Sequence, residues 1–142
     1  MNRFKIAFEE CCAKAQELYP QFIAPQLDFN TTGQAAGWAR CNTTTGIYRV
    51  SLNKTFCLAV PQDMLEDTIP HEVAHILAIQ RYGKEVRAHG KEWIAMFGAL
   101  TGRVPSRCHD YGREEVAAQS VAKKLTTTAE QMLADLLQGD LK

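Results

Sequence analysis

The stretch "TIPHEVAHILAIQRYG", Thr68–Gly83, decides how the rest of the chain is read. Ile69, Val73, Ile76 and Leu77 recur at steps of three and four residues, which predicts an amphipathic helix. Asp67 or Thr68 is expected to cap it, with Pro70 in the first turn, where a missing N–H costs little. Gly83 is a natural C-terminal stop. On such a helix His71 and His75 lie four residues apart, on one face and one turn from each other, so both imidazoles can reach a single ion. Glu72, one step round, points beside that ion, where a carboxylate can take a proton from water; this is the mechanical content of H-E-x-x-H. A chance pattern on a surface helix is the bland alternative. The apolar flanks Val73, Ala74, Ile76 and Leu77 argue against it, because they make the helix a core element able to hold ligands rigidly.

Two histidines are half a site, since catalytic zinc usually takes three protein ligands and leaves one position open. His89, His109, Glu85 and Glu92 are the candidates for the third. The longer spacing H-E-x-x-H-x-x-G-x-x-H fails, because position 78 is Ala and position 81 is Arg. Glu92 would imitate a two-His-one-Glu arrangement. His89 is preferred: it opens the second helix in "HGKEW", directly after the turn that follows the first, and Gly90 relieves crowding there.

Outward from this motif the chain reads as α+β. Phe4, Phe8, Cys11, Ala15 and Leu18 predict a helix over about 2–19, ending before Pro20. "AAGWARCN" and "IYRVSLN", separated by "TTTG", predict a β-hairpin at about 36–53, with an earlier strand near Leu27–Phe29. A helix at about 90–100, with Trp93, Phe97 and Leu100 as its stripe, should end at Gly102. Further helices are expected at about 113–125 and 128–138, Thr127 and Glu130 having capping-box spacing for the last. Residues 1–112 are thus expected to form one domain and 113–142 a helical extension packed on or beside it, with Met132, Leu133, Leu136 and Leu137 as its apolar face.

The bulk composition excludes little and fits an ordinary globular domain. The 142 residues suffice for one core, and 46% of them are hydrophobic against 23% charged. Net charge is zero, so nothing at whole-chain level points to nucleic acid or membrane. Locally, seven Lys/Arg stand against three Asp/Glu from Arg81 to Arg113, which leaves contact with DNA through this basic region open. Glu9 and Glu10 interrupt the N-terminal apolar residues too early for a signal peptide, and no run approaches a membrane span. Five cysteines without a CxxC pair argue against a disulfide framework. A cytoplasmic protein with reduced thiols is expected.

The residues "TIPHEVAH…GKEVRAHGKEW…MFGALTGRVPSRCH", with "TGQAAGWA" and "YRVSLN" before them, resemble the SprT-like family of zinc metallopeptidases, which includes Spartan-type proteases. The resemblance runs from about Thr32 to His109. Its most specific parts are H-E-x-x-H followed, after thirteen intervening residues, by "HGKEW", and then "PSR-x-H". It implies a minimal zincin-like α+β domain with a small antiparallel sheet, His71, His75 and His89 as ligands of one zinc, and Glu72 as general base. His109 matches a family position and, with Tyr111, is a candidate for stabilising an oxyanion. Glu92 is expected beside the ligands or in a helix-start interaction. Bacterial SprT-type members continue into a zinc ribbon with paired cysteines; no cysteine follows His109 here, so a second zinc is not expected.

These readings converge on a zinc metalloendopeptidase acting on protein or peptide substrates, DNA-associated proteins being what the resemblance suggests. The alternative is a catalytically silent zinc-binding adaptor for nucleic acid or protein. Trp93 is expected in the core behind the ligand helices, and Trp38 either lines the cleft or fills the core.

Overall fold

A computed structural model of the chain describes residues 1–105. The expected C-terminal helices lie outside the described residues, as do Cys108, His109 and Tyr111. Helix α1 (Asn2–Leu18) leads into strands β1 (Gln26–Thr31), β2 (Gly37–Asn42) and β3 (Ile47–Asn53). Two short helices, α2 (Lys54–Ala59) and α3 (Pro61–Asp63), run into a π-helical turn at Met64–Thr68, followed by α4 (Ile69–Tyr82) and α5 (Lys91–Thr101).

The sheet order is β1-β3-β2. The expected hairpin is present, with Trp38 opposite Ser51 and Arg40 opposite Arg49. The sheet is not antiparallel throughout, however, because β1 pairs parallel with β3, Leu27 lying beside Val50. Alternation within a strand reveals its two faces but not its neighbour's direction, so the pattern carried no information on this pairing. The chain leaves β1, crosses the end of the future β3 to reach the far edge, and turns back into the middle.

Asn53 makes that crossing possible. Its backbone N–H donates to the carbonyl of Ala36 at 2.8 Å, and its side-chain amide donates to the carbonyls of Gly33 (3.1 Å) and Ala35 (2.9 Å). Its Oδ1 accepts from the N–H of Thr55 at 2.9 Å and so caps α2, a helix that the apolar pattern alone did not reveal. With one buried amide making three bonds, Asn53→Ala is expected to lower stability by about 2–4 kcal/mol, read as a fall in the urea midpoint at unchanged slope.

Helix α4 is buried on most sides: Ile69, Val73, Ala74, Ile76 and Leu77 are all at 0% exposure, and the helix packs against α1, α5 and β2. From α1 the buried stripe is Phe4, Phe8, Cys12 and Ala15; Cys11 is only half-buried and Leu18 is exposed, which shifts the expected face by one residue. Cys11 and Cys12 straddle the boundary of a 3.6-residue repeat, and burial pushes both thiols up to about 12. The stripe Trp93, Phe97 and Leu100 is buried as expected, and α5 ends at Gly102 with a left-handed φ of 70°.

The start of α4 departs from expectation. Thr68 does not cap a helix: its backbone is already helical, because the chain has been winding since Pro61. The π-helical turn resolves the conflict with Pro70. Ile69 donates to Met64 five residues back, and Pro70, lacking an N–H, leaves the carbonyl of Glu66 without its usual helical donor. The Arg103 guanidinium donates to that carbonyl from beyond α5. Gly37 is required opposite this turn, since a Cβ there would stand 2.7 Å from the Ser51 carbonyl oxygen.

Candidate metal centre

Three imidazoles meet over the N-terminal half of α4. The Nε2 atoms of His71 and His75 are 3.1 Å apart, those of His75 and His89 3.2 Å, and those of His89 and His71 2.9 Å. A tetrahedral ion with Zn–N bonds of about 2.0–2.1 Å separates its nitrogens by about 3.3 Å, so the triangle is close to the size such an ion needs. Three ring nitrogens facing one point cannot all satisfy one another by N–H donation, whereas a cation accepts all three lone pairs at once. The donor set therefore fits zinc.

Local structure explains how each ring arrives. His71 and His75 come from successive turns of α4, His71 at 1% exposure. His89 comes from the loop between α4 and α5 and adopts a left-handed φ of 59°, a conformation that His tolerates better than most residues. Gly90 follows it and donates to the carbonyl of Arg87 at 2.9 Å; a Cβ at Gly90 would meet that oxygen at 3.0 Å. The turn therefore holds the third ring over the helix. Trp93, at the start of α5, lies against all three imidazoles, with ring centroids 4.6 Å from His71, 5.3 Å from His75 and 4.7 Å from His89. Its indole N–H donates to the carbonyl of His71 at 3.1 Å, tying α5 to the helix that carries two of the rings. The expectation that Trp93 packs behind the site holds; its hydrogen bond has no signature in the sequence.

Glu72 lies beside the triad with 3% of its surface exposed. Burial, and secondarily the charge of Asp67, push its carboxyl up to about 8 in the metal-free protein. A cation at the triad acts in the opposite direction, by favouring the carboxylate. Among the described residues, the only group of three or more His, Cys, Asp or Glu whose donor atoms converge is His71, His75 and His89. Glu92 sits in the first turn of α5 and Glu85 in the exposed loop, and neither joins it.

The triad opens into a cleft of about 540 Å³ between α4 and the edge of β2 that no described strand pairs. Gly37, Trp38, Ala39 and Cys41 line one wall, Ile79 continues the helical wall, and Lys84 also lines the cleft. Trp38 thus faces the cleft, the first of its two expected placements, with the Arg40 guanidinium 4.3 Å from the centre of its ring. Among the described residues no helix is long and apolar enough to cross a membrane.

A mixed α+β domain with a three-histidine centre on H-E-x-x-H is the class that this geometry defines. The chain belongs to the SprT-like family, whose model matches residues 8–110. It is 36% identical over 103 residues to Protein SprT of Vibrio parahaemolyticus, covering 72% of this chain and 59% of that protein. It is 31% identical over 111 residues to Protein SprT of Pseudomonas putida strain F1, covering 78% and 65%. With Protein SprT of Pseudomonas entomophila it shares 33% identity over 104 residues, covering 72% and 61%. The chain thus spans about 59–65% of the length of these relatives. No solved structure matches it significantly.

Proposed function

We propose that this chain is a zinc metalloendopeptidase of zincin-like architecture, with His71, His75 and His89 as the ligands and Glu72 as the general base. The observation that carries the proposal is the convergence of three Nε2 atoms within 2.9–3.2 Å, beside a buried carboxyl and on the floor of an open cleft. A purely structural zinc site would have no use for Glu72, whose burial is a cost without a catalytic return. Zinc bound there would supply Lewis acidity toward a carbonyl and toward water.

The chain's own residues supply the remaining steps. Glu72 takes the proton of the attacking water and passes it to the leaving amine. The edge of β2, unpaired among the described residues, offers backbone donors and acceptors to an extended peptide, which would lie across the triad between Trp38 and Ile79. Trp93 fixes the first ligand turn through the His71 carbonyl. The openness of this trough supports a protein or peptide substrate. DNA-associated proteins are a narrower proposal, supported by the exposed Arg81, Lys84, Arg87, Lys91 and Arg103.

The test is cleavage of casein by the zinc-loaded protein, with and without single-stranded DNA, followed by gel and mass spectrometry. Zinc-dependent fragments are expected, more of them with DNA if the basic surface recruits it. Stoichiometric zinc without cleavage of casein or of a DNA-bound protein would favour the adaptor.

A further inference from the structure

We propose that Thr68 is a positioning residue for Glu72, its hydroxyl being held in the protein interior to fix the carboxyl side chain beside the triad. The proposal rests on the reading of Glu72 as the general base.

Six polar or charged residues are buried among the described ones: Thr31, Ser51, Asn53, Thr68, His71 and Glu72. The first three serve the fold. The hydroxyls of Thr31 and Ser51 bond each other at 2.8 Å, and Asn53 holds the crossing loop. The last three lie within five residues of one another at the start of α4. His71 and Glu72 belong to the site. Thr68 remains: it is at 0% exposure, and its Oγ1 has no hydrogen-bond partner among the described residues. An unsatisfied buried hydroxyl is destabilising, and a fold that merely needed the volume would be served as well by valine.

Geometry places the Thr68 side chain beside the site. Thr68 precedes Glu72 by four residues, and its backbone is already helical, so the two side chains rise from the same face one turn apart. Its methyl lies 3.4 Å from where a Cβ of Gly37 would stand, which places the side chain between α4 and β2, at the end of the cleft that Gly37 and Glu72 both line. The π-helical turn ends at Thr68, so the residue sits where the helix changes pitch. From there the hydroxyl, which bonds no described residue directly, can reach the Glu72 carboxylate through one enclosed water.

Thr68→Val and Thr68→Ser are the test, with three readouts. In the zinc-free protein, Thr68→Val is expected to leave Tm within about 3 °C of the wild type, because a hydroxyl bonded only through an enclosed water contributes little net stability. In the zinc-loaded protein it should lower kcat about tenfold, with KM and zinc content unchanged, and serine should restore the rate. The side-chain carboxyl ¹³C resonance of Glu72, assigned by its loss in Glu72→Gln, should move in the valine variant and return in the serine variant. A fall in Tm well beyond about 3 °C would make the hydroxyl structural and overturn the proposal, as would an unmoved Glu72 resonance or an unchanged kcat. Failure of the wild type to cleave any substrate would instead defeat the peptidase reading, and the Tm and resonance measurements would still decide the role of Thr68.

Discussion

Glu72→Gln is expected to abolish peptide cleavage while leaving zinc bound and making the metal-free protein more stable. The amide keeps the shape of the carboxyl and cannot accept a proton, so general-base assistance is lost, a contribution of about 10²–10⁴ in rate. None of the three converging nitrogens is touched, so zinc content should remain near one per chain. The stability change follows from burial. In the metal-free protein the Glu72 carboxyl is pushed up to about 8 from an ordinary 4.5, chiefly by desolvation. Its folded-state value is therefore raised: the stability associated with the neutral acid is fully present below about pH 4.5 and is lost as pH climbs through 8. Metal-free wild type should thus weaken between pH 5 and pH 8 more steeply than Glu72→Gln. The gap should reach several kcal/mol at the alkaline end, because each tenfold difference in proton affinity between the folded and unfolded chain corresponds to about 1.4 kcal/mol. Parallel melting curves at pH 5 and pH 8 check this; identical curves would mean that the carboxyl is well solvated.

Removing any one histidine of the triad should have the largest effect on the metal. Loss of an outer partner of a metal ligand typically costs 10–100-fold in affinity, so loss of a direct ligand should exceed about 100-fold. His71→Ala, His75→Ala and His89→Ala are expected to behave alike, since the three Nε2 separations differ by only 0.3 Å between the longest and the shortest. Zinc should raise the Tm of the wild type, by about 4 kcal/mol of added stability at a thousandfold excess over Kd, and should leave the variants unmoved. His109→Ala provides the comparison, because that residue lies outside the described triad. Retention of zinc in His89→Ala together with its loss in His109→Ala would reassign the third ligand. Retention in His89→Ala and loss in Glu92→Ala would favour the two-His-one-Glu arrangement.

The order in which the chain becomes legible reflects the range of the forces involved. Helices α1, α4 and α5 and the β2–β3 hairpin are readable because their signals are local: three- and four-residue apolar steps, a two-residue alternation, and glycine stops at Gly83 and Gly102. The pair His71 and His75 is readable for the same reason, four residues on a helix being one turn. Helix α2 escapes such a reading because its signal is one asparagine with two roles. Thr68 resembles a cap because Thr before Ile-Pro looks like a helix start, and a π-helical turn leaves no distinct pattern of its own.

By itself, then, the sequence determined the α+β composition, the helix that bears H-E-x-x-H, and His89 as the favoured third donor. Only the tertiary structure decided that β1 runs parallel to β3, that Trp38 faces the cleft, that Trp93 backs all three imidazoles, and that Glu72 is almost wholly shielded from water. The physical reason is separation along the chain. A helix is fixed by neighbours three and four residues away, whereas the cleft that Glu72 lines is closed by a strand some thirty residues before it and by the loop that carries His89, seventeen residues after it. Local preferences contain no information about such pairings, which are settled by burying one shared apolar core.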